Sequence, residues 1–206
     1  MGFSDRDRRA VIEAWTLART HPDTDRLPDL LVERWGAVAG LTPVAGAGQL
    51  PEQGVSLVHV WPARPHGAEV VSGTVGLLRS CARPWRLEVD RHPARGPRRL
   101  VAWVADDELA EVALGLWGLT RRRTLPGTPA FSCALAPGVA WAEVEPSGAS
   151  WESFEQCRAR LLAAVLQAVP RGWGVPEVLD AAAERFREAG IDPAAPHLRV
   201  RRLCAA

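Results

Sequence analysis

The stretch Trp85-Arg86-Leu87-Glu88-Val89-Asp90 alternates large apolar residues with charged ones at a spacing of two. Successive side chains of a β-strand point to opposite faces, so the alternation predicts a half-buried strand. Residues 92–97, with Pro93, Gly96 and Pro97, predict a hairpin connection to a second strand over 98–105. So short a connection cannot make a parallel crossover, which makes the pair antiparallel.

Working outward, the apolar run 55–61 and the glycine-weakened run 69–78 read as further strands. Residues 131–135 and 139–144 read as a second hairpin across Pro137-Gly138. Helical spacing brackets them. Ser4 is an N-cap for a helix that stops at His21-Pro22, and a second helix spans about 28–38, opened by Pro28. Asp106 and Asp107 open a central helix with the expected core face Leu109, Val112, Ala113, Leu116 and Trp117. Ser150 caps a helix with the stripe Trp151, Phe154, Leu161, Leu162, Val165 and Leu166. A last helix runs from Pro176 to Gly190, followed by a linker over 191–196 and a final strand over 197–203. The predicted class is α+β, a mainly antiparallel sheet of about five to seven strands packed by N-terminal, central and C-terminal helices. A single domain over 1–206 is expected: a helical pair at 4–39, a flexible loop at 40–54 and a sheet-containing body at 55–206.

The element order loosely resembles the Gcn5-related acetyltransferases. Their pyrophosphate loop would fall on Ala105, Asp106, Asp107 and Glu108, an acidic stretch without glycine that repels anions. No family is claimed.

Composition narrows the chemistry. The 206 residues are 47% hydrophobic and 24% charged, as in ordinary globular domains. All 25 basic residues are arginine, and the chain also lacks Asn and Tyr, which a GC-rich coding sequence explains. Schiff-base lysine and phenolic acid/base chemistry are thereby excluded. No apolar signal region and no membrane-spanning run is present, and Cys81, Cys133, Cys157 and Cys204 are scattered without metal-ligand spacing. A cytoplasmic location, no cofactor and no metal are expected.

Net charge is +1, but residues 79–103 hold seven arginines against Glu88 and Asp90, a local net of +5. Arginine grips carboxylate or phosphate through a planar fork of donors. The hairpin residues Arg86, Arg95, Arg98 and Arg99 are therefore candidate ligands for an anion, the last three expected at the solvent surface. Arg121, Arg122 and Arg123 end the central helix, where the macrodipole alone favours cations, and they extend the same electropositive face if that helix packs over the hairpin. The plain alternative is a solubilising surface in a lysine-free protein.

Other patterns are weaker. Glu88, Asp90 and His92 share a strand face suited to acid/base work, but the expectation is a solvated face with arginine partners. His21, Asp23 and Asp25 (HPDTD) fit a turn better than a metal site, and Gly46-Ala47-Gly48 is half of a phosphate-binding fingerprint without its flanking strand and helix. Among catalytic candidates only His59 is retained. It lies inside an apolar strand on the face of Val55, Leu57 and Trp61, where a histidine is ordinarily a satisfied core residue. Trp61, Trp85 and Trp103 fit a shared stacking surface of the sheet, but the expectation is core packing against the helices.

The sequence thus predicts a non-catalytic binding or accessory module whose arginines recognise an anionic partner: nucleic acid, a phosphorylated ligand or an acidic protein surface. The alternative is a small biosynthetic enzyme with a pocket between the sheet and tryptophan-rich helices and His59 as acid/base. A self-associating component is the third possibility, the oligomeric state being left open.

Overall fold

The structure is a computed structural model that describes residues 2–21, 25–35, 41–51, 54–92, 96–144 and 154–198, of which 91, 92 and 96–98 by backbone alone. In chain order the elements are α1 (Asp5–Thr20), α2 (Leu27–Arg34), β1 (Thr42–Ala47), β2 (Val55–Val60), α3 (Gly67–Leu78), β3 (Trp85–His92), β4 (Gly96–Ala105), α4 (Leu109–Thr120), β5 (Cys133–Ala136), β6 (Val139–Glu143), α5 (Phe154–Ala168) and α6 (Val175–Glu188). Short 3-10 turns at Arg64–His66 and Asp106–Glu108 lead into α3 and α4. The class is α+β. The chain groups into two compact units, one of residues 1–37, 129–131 and 147–206, the other of 38–128 and 132–146.

The second unit holds a six-stranded sheet in the order β1-β3-β4-β2-β6-β5, every neighbouring pair antiparallel. The β3–β4 hairpin forms as its alternation predicts, with Leu87 opposite Ala102 and Val89 opposite Leu100. One sheet face presents Val58, Val60, Trp85, Leu87, Val89, Leu100, Ala102, Val104 and Val139 to Val70 and Leu78 of α3 and Val112 and Leu116 of α4. All of these are buried and form the core of this unit. Such burial is worth roughly 1.5–3 kcal/mol for each large side chain.

Three expectations are corrected here. Residues 69–78, read as a strand, form α3. Their valines favour a strand locally, but Val70, Thr74 and Leu78 recur at a spacing of four and bury one helical face. Part of the expected loop at 40–54 is the edge strand β1, whose small residues and Pro43 give little strand signal and which forms by pairing with β3. Trp117, placed on the core face of α4, is 53% exposed. The buried line of that helix is Val112, Leu116 and Thr120, rotated away from it.

α3 and α4 lie antiparallel and close. A Cβ on Gly73 would meet the side chain of Leu119, and one on Gly115 would meet that of Leu77. Each helix thus supplies one leucine knob and one glycine notch. Gly138, in the turn between β5 and β6, has φ +72°, and a Cβ there would collide with the Leu125 carbonyl.

The first unit is helical. Ser4 caps α1 as expected, its Oγ accepting from the Asp7 amide at 3.2 Å while its hydroxyl donates to Asp7 Oδ2 at 2.6 Å. Asp7 Oδ1 also accepts the amide of Phe131 at 3.0 Å, holding that residue at φ +63°. Phe131 packs with Phe3, Trp35 and Phe186 at centroid distances of 5.2–5.8 Å. The stripe on α5 is buried at Phe154, Leu161, Leu162, Val165 and Leu166. Arg158, buried on the same helix, donates from Nε and Nη2 to the Pro196 carbonyl at 3.1 and 3.0 Å, fastening the linker after α6. Ser150, Trp151 and the expected strand residues 199–203 lie outside the described residues.

Candidate functional site

The sheet face opposite α3 and α4 carries charge. On β3 it presents Arg86, Glu88 and Asp90, on β4 Arg99, Val101 and Trp103, and on β2 Leu57 and His59, as the registers Arg86 to Trp103, Asp90 to Arg99 and His59 to Val101 require. The expected solvated face is not found: Asp90, Arg99, Trp103 and His59 are all buried. Trp85 packs toward the helices as expected, whereas Trp103 lies on the opposite face against Arg86, so the three tryptophans do not share one packing face.

His59 is 0% exposed and Arg99 2% exposed. Their side chains meet at 2.9 Å between Arg99 Nη2 and His59 Nδ1. A guanidinium has donors only, so Nδ1 must be the acceptor and the neutral imidazole carries its proton on Nε2. The Trp61 ring stands beside both, 5.8 Å from the His59 ring and 5.2 Å from the Arg99 guanidinium carbon. Arg99 was expected at the surface. The correction follows from register: His59 pairs with Val101, so Arg99, two residues along β4, shares the face of His59 and is buried against it and Trp61, where desolvation is offset by hydrogen bonding and stacking. The nitrogen of His59 that faces Arg99 is engaged, and the ring is closed to solvent.

Arg86 is consumed in a similar way. Its Nε lies 3.2 Å from Glu88 Oε1, and its guanidinium stacks 4.4 Å from the Trp103 ring. Trp103 Nε1 in turn donates to Glu88 Oε2 at 3.0 Å. Arg83 pairs with Asp107 at 3.3 Å. Arg95 and the side chain of Arg98 fall outside the described residues, as do Asp23 and the side chain of His92.

The helix-terminal triplet behaves differently. Arg123 donates to the Leu119 carbonyl at 2.9 Å, satisfying an open carbonyl at the end of α4, and pairs with Glu69 at 3.0 Å. Arg121 and Arg122 are exposed, have no carboxylate partner among the described residues, and sit where the chain leaves the helix, Arg122 at φ +64°. The segment after them pairs with the one after β2: Pro62 bridges Thr124, and the Ala63 amide donates to the Arg123 carbonyl at 2.7 Å. That antiparallel pairing brings Arg64, also exposed and without a carboxylate, to the same corner as Arg122. Sequence reading missed Arg64 because the contact spans some sixty residues and only the α4 exit loop creates it.

Cys81 lies near the start of α4. Burial, helped by Glu108 and Glu111, pushes its thiol up to about 11. Glu108 Oε1 also accepts the amides of Ala82 and Arg83 at 2.6 and 2.8 Å. This thiol is a structural one. No group of three metal-ligating side chains occurs among the described residues. No helix among them is long and apolar enough to cross a membrane.

Comparison with known proteins identifies one family: the model of the HopA1 effector protein family matches residues 45–198. Among solved structures, the effector protein from Pseudomonas syringae pv. syringae strain 61 is similar, with a TM-score of 0.59 and 15% identity, over 98% of this chain and 84% of that one. That likeness is one of fold. No curated protein matches.

Proposed function

The chain belongs to the HopA1 effector protein family, and from that premise we propose that it acts as an effector by binding, holding an acidic protein surface at the corner formed by Arg64, Arg121 and Arg122. One observation carries this reading. The backbone pairing of Pro62 with Thr124 draws the segments of Arg64 and Arg122 together, and Arg64, Arg121 and Arg122 are exposed without an ion pair among the described residues, whereas Arg83, Arg86 and Arg123 are each paired within the fold, Arg123 with the nearby Glu69. Like charges gathered without a counter-charge raise the local potential and attract an anion.

An acidic protein fits better than nucleic acid. Duplex binding draws on about 6–10 phosphate contacts, and the corner offers three arginines in a chain of net charge +1. Non-catalytic action accords with a His59 whose Nδ1 is committed to Arg99. A cytosolic working compartment belongs to the same proposal, because Cys81, Cys133 and Cys157 are free thiols.

The test is binding of fluorescent poly-L-glutamate, with a duplex DNA of equal charge as competitor. Wild type is expected to bind at low salt, and the Arg64→Glu/Arg122→Glu variant to lose at least tenfold. DNA displacing the polypeptide at lower concentration would assign the corner to nucleic acid, and no binding at all would remove the proposal.

A further inference from the structure

The outer line of α4 reads Glu111, Leu114, Gly118, Arg121, spaced three, four and three residues apart, so a single helical face holds all four. Leu114 is 68% exposed, with Trp117 on its flank. Glu111 and Arg121 are both exposed, and neither has an ion-pair partner among the described residues. They stand about 15 Å apart along the axis, too far to reach each other.

This line is self-complementary. Turned end for end about Leu116, it places Arg121 where Glu111 stood and Gly118 where Leu114 stood. A two-fold interface demands that property, because the same patch must recognise itself. We propose that two copies of this chain pair through antiparallel α4 helices, Glu111 of each bound to Arg121 of the other and Leu114 of each seated over Gly118 of the other. A Cβ on Gly118 would meet nothing within 4 Å, and the same holds for Gly76 on the adjoining α3, so both leave open space for a close approach. Trp117, one residue from the symmetry position, meets its counterpart across the axis.

The occupant is a second copy and not an unrelated apolar partner because the charges settle it. An unrelated helix would have to supply a base and an acid at matching ends, and this chain already carries both in the required order. The interface rests on two 12-residue helices per copy, each about 18 Å long, so the dimer forms with concentration. Pairing takes Arg121 out of the corner and leaves Arg64 and Arg122 there, so the two readings share one arginine and are told apart by their readouts, chain mass here and polypeptide binding there.

Sedimentation equilibrium of the full chain tests it. Wild type at about 100 μM is expected to weigh as two chains, while Glu111→Arg alone and Arg121→Glu alone each weigh as one. Mixing those two variants restores both ion pairs in a heterodimer and returns the two-chain mass. A monomeric wild type overturns the proposal, as does a dimer that either single change leaves intact. Single variants that remain monomers when mixed also overturn it, since folding damage and lost pairing then cannot be told from each other by mass and the stated charge exchange has failed.

Discussion

At the scale of single residues, the decisive side chain is His59. Its pattern in the sequence, a histidine within an apolar strand, fits both a core position and an acid/base, and only the partner distinguishes them. The 2.9 Å contact from Arg99 makes it a buried acceptor that holds an arginine in place. His59→Ala would leave a cavity and a guanidinium donor without its acceptor, a loss of about 2–4 kcal/mol. The expected result is a thermal midpoint lowered by several degrees. An unchanged midpoint would return His59 to the catalytic candidates. Cys81 makes a second residue-scale case. The thiolate is the reactive species, and a thiol raised from 9.0 to about 11 stays protonated at neutral pH. Slow alkylation of Cys81 is expected at pH 7.5, accelerating in Glu108→Gln, which removes a neighbouring charge but keeps an acceptor for the amides of residues 82 and 83. Peptide mapping by mass spectrometry reads both rates. The sign for stability follows: the folded thiol keeps its proton longer than the unfolded one, so this contribution is full below about pH 9 and fades as pH rises towards 11.

At the scale of elements, what was legible followed periodicity. The strand at Trp85 and the stripe on α5 declare themselves because each has one clean repeat, of two or of about 3.6 residues. α3 was not legible, because its valines, threonine and glycines suit a strand locally and its helical spacing becomes decisive only once a sheet and α4 are present to bury it. Trp117 was misplaced for a related reason: an aromatic residue is assumed to be core unless something marks the outer face, and here the mark is the neighbouring Gly118. The glycines of this helix layer give a paired expectation. Gly73→Val forces Leu119 aside and costs about 1–3 kcal/mol by overpacking. Gly118→Ala enters open space in a helix interior and stabilises by about 0.5–1 kcal/mol. Thermal unfolding at a concentration that keeps the chain monomeric checks the two signs. Equal effects would contradict the notch-and-knob packing of α3 on α4.

At the scale of the whole molecule, local charge in the sequence pointed to arginine chemistry but not to the arginines that remain available. A net of +5 over residues 79–103 suggested the hairpin. Folding then set Arg83 against Asp107, Arg86 against Glu88 and Arg99 beneath Trp61 and His59. Among the guanidiniums left without an ion pair are Arg121 and Arg122 at the far end of α4 and Arg64 beside the turn after β2, where a long-range backbone pairing draws the segments of Arg64 and Arg122 together. Counting charges along a chain cannot show which will be neutralised by partners distant in sequence. In the proposed reading an acidic protein occupies such a corner, and the proposed α4 pairing presents two corners per assembly, which multiplies weak contacts. The most direct measurement is the affinity for an acidic polypeptide as ionic strength rises from about 20 to 200 mM, a range over which screening shortens steeply. Affinity that falls continuously in wild type, and is weak and flat in Arg64→Glu/Arg122→Glu, is the expected result. A variant that binds as tightly as wild type, with the same salt dependence, would contradict the account.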